Sequence, residues 1–111
     1  MVYAKTELFE TELQECAELC KALSHPARLA ILKYLAGIKA CMTGDITEVL
    51  PLSRTTVNQH LKELKDAGLI VGTTEGAKTN YCINPDKVNE LRQMFISFFD
   101  QVNTDIDNCC K

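Results

Sequence analysis

Pro51 and Gly68 enclose the stretch of this chain with the fewest ways to fold. Proline ends a helix that runs into it, and glycine is the residue that most readily takes the left-handed backbone just past a helix end. Ser53 follows the proline, where a hydroxyl can cap the free N–H groups of a new helix. Projected at about 100° per residue, Val57, Leu61 and Leu64 share one sector, and Thr55, Asn58, Gln59 and Lys62 fall opposite. This is a helix with one face for a core and one for something polar. After Gly68 the period changes. Residues 69–73 are apolar and β-branched, Glu75-Gly76 is a turn, and 77–83 alternates with Thr79, Tyr81 and Ile83 on one side, which predicts a hairpin.

The remaining elements fit around this unit. Phe9, Leu13, Cys16, Cys20 and Leu23 are spaced 4, 3, 4 and 3, predicting a first helix over about 6–23 with a narrow packing seam. Ser24 as N-cap and Pro26 in the first turn start a second helix, with Ala27, Ala30, Ile31, Tyr34 and Leu35 on one face and Gly37 at its end. Thr43 opens a short third helix with Ile46, Val49 and Leu50 inward, stopped by Pro51. Asn84-Pro85 breaks the strand before a last helix over about 86–108, with Val88, Leu91, Phe95, Phe98, Val102, Ile106 and Cys109 as its stripe, widened by Met94 and Phe99. The predicted order is α-α-α-α-β-β-α, mainly α with a β-hairpin wing: a single winged helix-turn-helix domain over 1–111. The terminal helices carry more apolar surface than one small core needs, which predicts a homodimer built on the first and last helices.

The polar face of the fourth helix has the residue types that read a major groove. Asn58 and Gln59 can bond adenine edges, the Thr55 methyl can touch thymine, and Lys62 adds charge. Ser53, Arg54 and Lys65 are placed for phosphates. His60 lies at the border of the apolar stripe, either packed or in contact with the DNA backbone. Lys78, Thr79 and Asn80 in the wing can reach a minor groove or phosphates. The net charge of −3 does not oppose this, because it is unevenly spread. Residues 1–20 hold one Lys and five Glu (−4), 21–80 hold eight Lys/Arg and five Asp/Glu (+3), and 81–111 hold three Lys/Arg and five Asp/Glu (−2). A basic middle between acidic ends suits one face turned to phosphates.

Other functions find little support. No apolar run approaches a membrane span, and the first ten residues lack a signal core, so a cytoplasmic location is expected. There is no Gly-rich phosphate loop or nucleophile elbow, and two histidines, one beside a proline and one on the fourth helix, are poor material for acid–base catalysis.

The run Ala22-Leu23-Ser24-His25-Pro26-Ala27-Arg28-Leu29-Ala30-Ile31-Leu32 resembles the second-helix signature of the ArsR/SmtB metalloregulators. The run Ser53-Arg54-Thr55-Thr56-Val57-Asn58-Gln59-His60-Leu61-Lys62-Glu63-Leu64, with Ala67-Gly68-Leu69-Ile70, is similar to that family's recognition helix and wing entry. The resemblance implies a homodimeric repressor that sits on a palindromic operator with no cofactor required and leaves it when an effector binds.

The cysteines bear on the effector. One family site pairs Asp and His on the last helix for zinc, and here both histidines, His25 and His60, lie elsewhere. Another family pattern, Cys-x-Cys-Asp-Leu, is met only in part by Cys41-Met42-Thr43-Gly44-Asp45-Ile46. The adjacent Cys109-Cys110 can chelate a soft centre such as trivalent arsenic or antimony, with Cys41 as third thiolate and Cys16 or Cys20 as alternates. Cys16 and Cys20 also suit plain helix packing, and Cys82 in a wing strand reads as structural. A rival reading takes the resemblance to persulfide- and redox-sensing members, in which Cys41 pairs with Cys109 or Cys110.

Overall fold

A computed structural model describes residues 8–38, 42–43, 46, 50–76 and 78–103. These form α1 (Thr11–Ala22), α2 (Pro26–Ile38), β1 (Met42–Thr43), α3 (Arg54–Asp66), β2 (Ile70–Glu75), β3 (Lys78–Ile83) and α4 (Pro85–Val102). The architecture is a winged helix-turn-helix, with four helices among the described residues.

Local chemistry sets most of the boundaries. Ser53 caps α3, its Oγ accepting from the Thr56 amide at 3.2 Å. Gly68 closes α3 at φ 82°, a backbone that a side chain would disfavour. Gly76, at φ 63°, lies in the hairpin turn, and the β2–β3 ladder runs from Ile70↔Ile83 to Glu75↔Lys78. Asn84 joins the wing base to α4. Its Oδ1 accepts from the Lys87 amide at 3.4 Å, while its Nδ2 donates to the Gly68 carbonyl at 3.0 Å.

The core gathers around α3. Val57, Leu61 and Leu64 pack with Ile31 and Leu35 of α2, Ile46, Leu69 and Ile70, and this cluster extends to Leu19 and Ala22 of α1 and Leu91 of α4. α3 is thus held from behind, with its far side free.

Several expectations are corrected. Thr43 does not open a helix: with Met42 it forms an edge strand, Thr43 opposite Asn80 and Met42 opposite Tyr81, giving the order β1-β3-β2. The expected third helix falls largely outside the described residues, Val49 included; within it, Ile46 is buried and Leu50 partly so. The α2 cap is His25 rather than Ser24. The His25 Nδ1 accepts from the Ala27 amide at 3.0 Å, whereas the Ser24 hydroxyl donates back to the Lys21 carbonyl at 2.6 Å. Gly37 lies inside α2, one residue short of its end.

On α1 the helix begins at Thr11, leaving Phe9 in a bend ahead of it. The face that enters the core is Leu19 and Ala22; of the predicted seam, Leu23 packs against that core and Cys16 is half-buried. Seam residue Leu13 is 41% exposed and Cys20 is exposed. On α4 part of the predicted stripe enters the core: Leu91 is buried and Met94 and Phe95 are half-buried, while Val88, Phe98, Phe99 and Val102 face solvent. Ile106 and Cys109 lie outside the described residues. The radius of gyration, 17.2 Å, exceeds the roughly 13 Å of a compact chain of about this length. No described helix is long and apolar enough to cross a membrane.

Candidate nucleic-acid interface

The exposed side of α3 carries the predicted reading set. Thr55, Asn58, Gln59 and Lys62 are all exposed on the side opposite the buried Val57, Leu61 and Leu64. Arg54 and Lys65 are exposed along one flank of the same face. Ser53 sits at the N-terminus of α3, where the first amides and the helix dipole favour an anion. Lys62 is held lightly by Asp66, Nζ to Oδ2 3.1 Å, with both side chains well exposed. Such a pair is worth at most about 1 kcal/mol and yields readily to a phosphate.

The wing supports the set less fully. Thr79 is half-buried in the β3 ladder opposite Thr74. Asn80 sits on the central strand between β1 and β2, and its Oδ1 is buried without a donor among the described residues. Its acceptor is therefore buried and not presented to a nucleic acid. The Lys78 backbone ends the ladder at the turn, and its side chain lies outside the described part of the chain.

His60 is the clear departure. It is buried with the core face of α3 and accepts at Nδ1 from the Arg28 Nε at 3.1 Å. A guanidinium only donates, so the His60 proton resides on Nε2. The His25 ring stands 4.3 Å from it, centroid to centroid. Burial lowers the His60 pKa from its usual 6.5, the His25 and Arg28 charges push the same way, and Glu63 opposes them. His60 packs with the core: its Nδ1 is taken by Arg28 and its Nε2 is buried without a partner among the described residues, so neither nitrogen is presented to a DNA backbone.

The cysteines divide similarly. Cys41, Cys109 and Cys110 lie outside the described residues. Cys16 and Cys20 are free thiols one turn apart on α1. Partial desolvation raises the Cys20 pKa, and the neighbouring Cys16 thiol pushes it the same way. They supply two soft donors, and among the described residues no group of three or more His, Cys, Asp or Glu side chains is arranged to hold a metal ion. Cys82 on β3 is disulfide-bonded and so is not a thiolate in this state.

From the sequence, Arg28 stands out only as a member of a motif, and His25 only as that and as a histidine away from the last helix. The signal for their role was the i, i+3 spacing across Pro26, which sets both beside His60 at the start of α2.

Comparison with known proteins agrees with this geometry. Residues 23–73 match a helix-turn-helix domain family. The chain is 35% identical over 88 residues to the HTH-type transcriptional regulator YgaV of Escherichia coli K12, covering 78% of this chain and 89% of that protein. It is 31% identical over 99 residues to the arsenical resistance operon repressor of Staphylococcus xylosus, covering 88% and 90%. Among solved structures, the ArsR-like transcriptional regulator from Rhodococcus sp. RHA1 shares the fold, with a TM-score of 0.68 at 24% identity over 80% of this chain and 83% of that one. The relatives are transcriptional regulators, not enzymes.

Proposed function

Because the chain belongs to the ArsR/SmtB family of helix-turn-helix transcriptional repressors, we propose that it works as a homodimer on a palindromic operator and leaves that operator on binding trivalent arsenic or antimony. The observation that carries the DNA-reading part is the face of α3. Thr55, Asn58, Gln59 and Lys62 stand exposed on a helix whose opposite side is locked into the core, with Ser53 and Arg54 at its N-terminal end. A rigid backing holds the reading side chains in fixed register with base edges.

The exposed apolar faces of α1 and α4 support the dimer. Leu13 on α1 and Ile96, Phe98, Phe99 and Val102 on α4 are surface that a second copy would cover. A two-fold axis there sets two α3 helices at a fixed spacing, which a palindrome matches. Release follows if the effector favours a dimer geometry in which that spacing no longer fits successive grooves. An effector that bound both geometries equally would change nothing.

Cys109 and Cys110 are the proposed chelating pair. In the reduced protein, with the Cys82 disulfide opened, the third thiolate comes from Cys41, or from Cys16 or Cys20 on the dimerising helix. That donor set suits a soft pyramidal centre and not a hard ion. The test is release of purified, reduced protein from DNA by arsenite, zinc, cadmium and a persulfide donor in parallel, on a duplex that the protein selects from a random pool. Release by arsenite at the lowest concentration supports the proposal. Release by the persulfide donor alone replaces it with a thiol-redox sensor using Cys41 with Cys109 or Cys110.

A further inference from the structure

Arg28 ties its own helix to two others. Its Nε donates to His60 Nδ1 on α3 at 3.1 Å. Its Nη1 reaches the carbonyls of Lys21 at 3.2 Å and Ala22 at 3.4 Å, the last two residues of α1. Arg28 itself stands in the first turn of α2. A helix end exposes carbonyls with no partner inside the helix, and here one guanidinium satisfies two of them while holding the back of α3. The Lys21 carbonyl also accepts from the Ser24 amide at 3.1 Å and from the Ser24 hydroxyl, so the acceptor is fixed in place. On the other side, the His60 ring is wedged against His25 and buried, so it cannot swing to follow a displaced donor.

We infer that Arg28 is a positioning residue for operator binding: it fixes α3 relative to the end of α1, so that a movement of α1 reaches the DNA-reading face through one side chain. The inference rests on the assignment of α3 as the DNA-reading helix. It adds the route by which the helix carrying Cys16 and Cys20, the latter directly before Lys21, is tied to that face. The link depends on the fork of the guanidinium. A lysine ammonium is a single point and cannot span both the α1 carbonyls and His60. It also depends on an unprotonated Nδ1. The groups facing His60 are His25 and Arg28 from the α1–α2 junction and Glu63 from α3. A proton on Nδ1 would remove the acceptor and set a cation against Arg28.

The test uses the full chain and a duplex selected from a random pool by the wild-type protein, with affinity read by fluorescence anisotropy well below each variant's melting temperature. Arg28→Ala and Arg28→Lys each weaken binding about tenfold, the scale on which one hydrogen bond to a charged group changes an equilibrium. His60→Asn puts an amide oxygen near the place of Nδ1 and keeps affinity within about twofold of wild type, on the same scale. It also removes the loss of affinity that wild type shows as pH falls toward the lowered pKa of His60. Amide exchange rises together in the last turn of α1 and in α3 in Arg28→Ala, and in neither in His60→Asn. Wild-type affinity in folded Arg28→Ala, on a duplex that Gln59→Ala fails to bind, overturns the inference while leaving α3 as the reading helix. Exchange rising in α3 alone overturns the link to α1. A wild-type protein that selects no duplex overturns the DNA-reading assignment and the inference with it.

Discussion

Gln59→Ala separates reading from folding. Gln59 is exposed on the middle of α3, opposite the buried Leu61 side, and its removal opens no cavity. The change also replaces one good helix former with a better one, so stability should move by less than about 0.5 kcal/mol. On DNA the expected effect is much larger. A bidentate bond from a side chain to adenine is worth about 1–3 kcal/mol, or about 5- to 150-fold in affinity for one half-site. In the proposed dimer, with one α3 per protomer, the loss is counted twice, so even the lower bound is about 30-fold. The assay is anisotropy titration of a selected duplex over a range of salt, with sedimentation to confirm the dimer. Gln59 carries no charge, so the salt slope of the variant should match wild type while the curve shifts bodily. Lys62→Ala should instead flatten the slope, by about one unit for each phosphate that the lysine neutralises. Unchanged affinity in Gln59→Ala, or an equal loss on unselected DNA, would refute the assignment of this face to base reading.

Three further outcomes are expected. Cys109→Ser combined with Cys110→Ser should bind the operator normally yet no longer release it with arsenite; retained release sinks the vicinal-thiol site. Phe99→Glu places a charge on a side chain that is 60% exposed, so the monomer should fold as before while sedimentation shows the dimer dissociating; an intact dimer would move the interface off α4. Lastly, stability should depend on His60. Its pKa is lowered in the fold, so the unfolded chain binds the proton more readily, and the stabilisation present above about pH 6.5 is lost as pH falls toward the depressed value. Urea midpoints across that range should fall for wild type and stay flatter for His60→Asn, and parallel curves would exclude His60 as the group responsible.

The amino-acid sequence by itself determined the unit from Ser53 to Ile83. Its signals are local: a hydroxyl that caps the amides next to it, a glycine that turns left-handed, and apolar residues at a helical and then an alternating period. Each is settled within a few residues, so which side of α3 is polar needed no knowledge of the rest of the chain. Position 43 shows where this stops. Thr43 has the chemistry of a helix cap, and it became a strand because Asn80, far along the chain, offered a ladder partner. The α1 seam shows it again. Its spacing promised a packing stripe, but a period does not say against what, and the core took Leu19 and Ala22, with Leu23 of the seam packed against it. His60 was undecided at the stripe border until Arg28, 32 residues earlier, approached its Nδ1. Caps and periods depend on neighbours in sequence. Strand pairing, the choice of buried face and the fate of a polar side chain at a border depend on which distant group arrives, and the tertiary structure alone decided that.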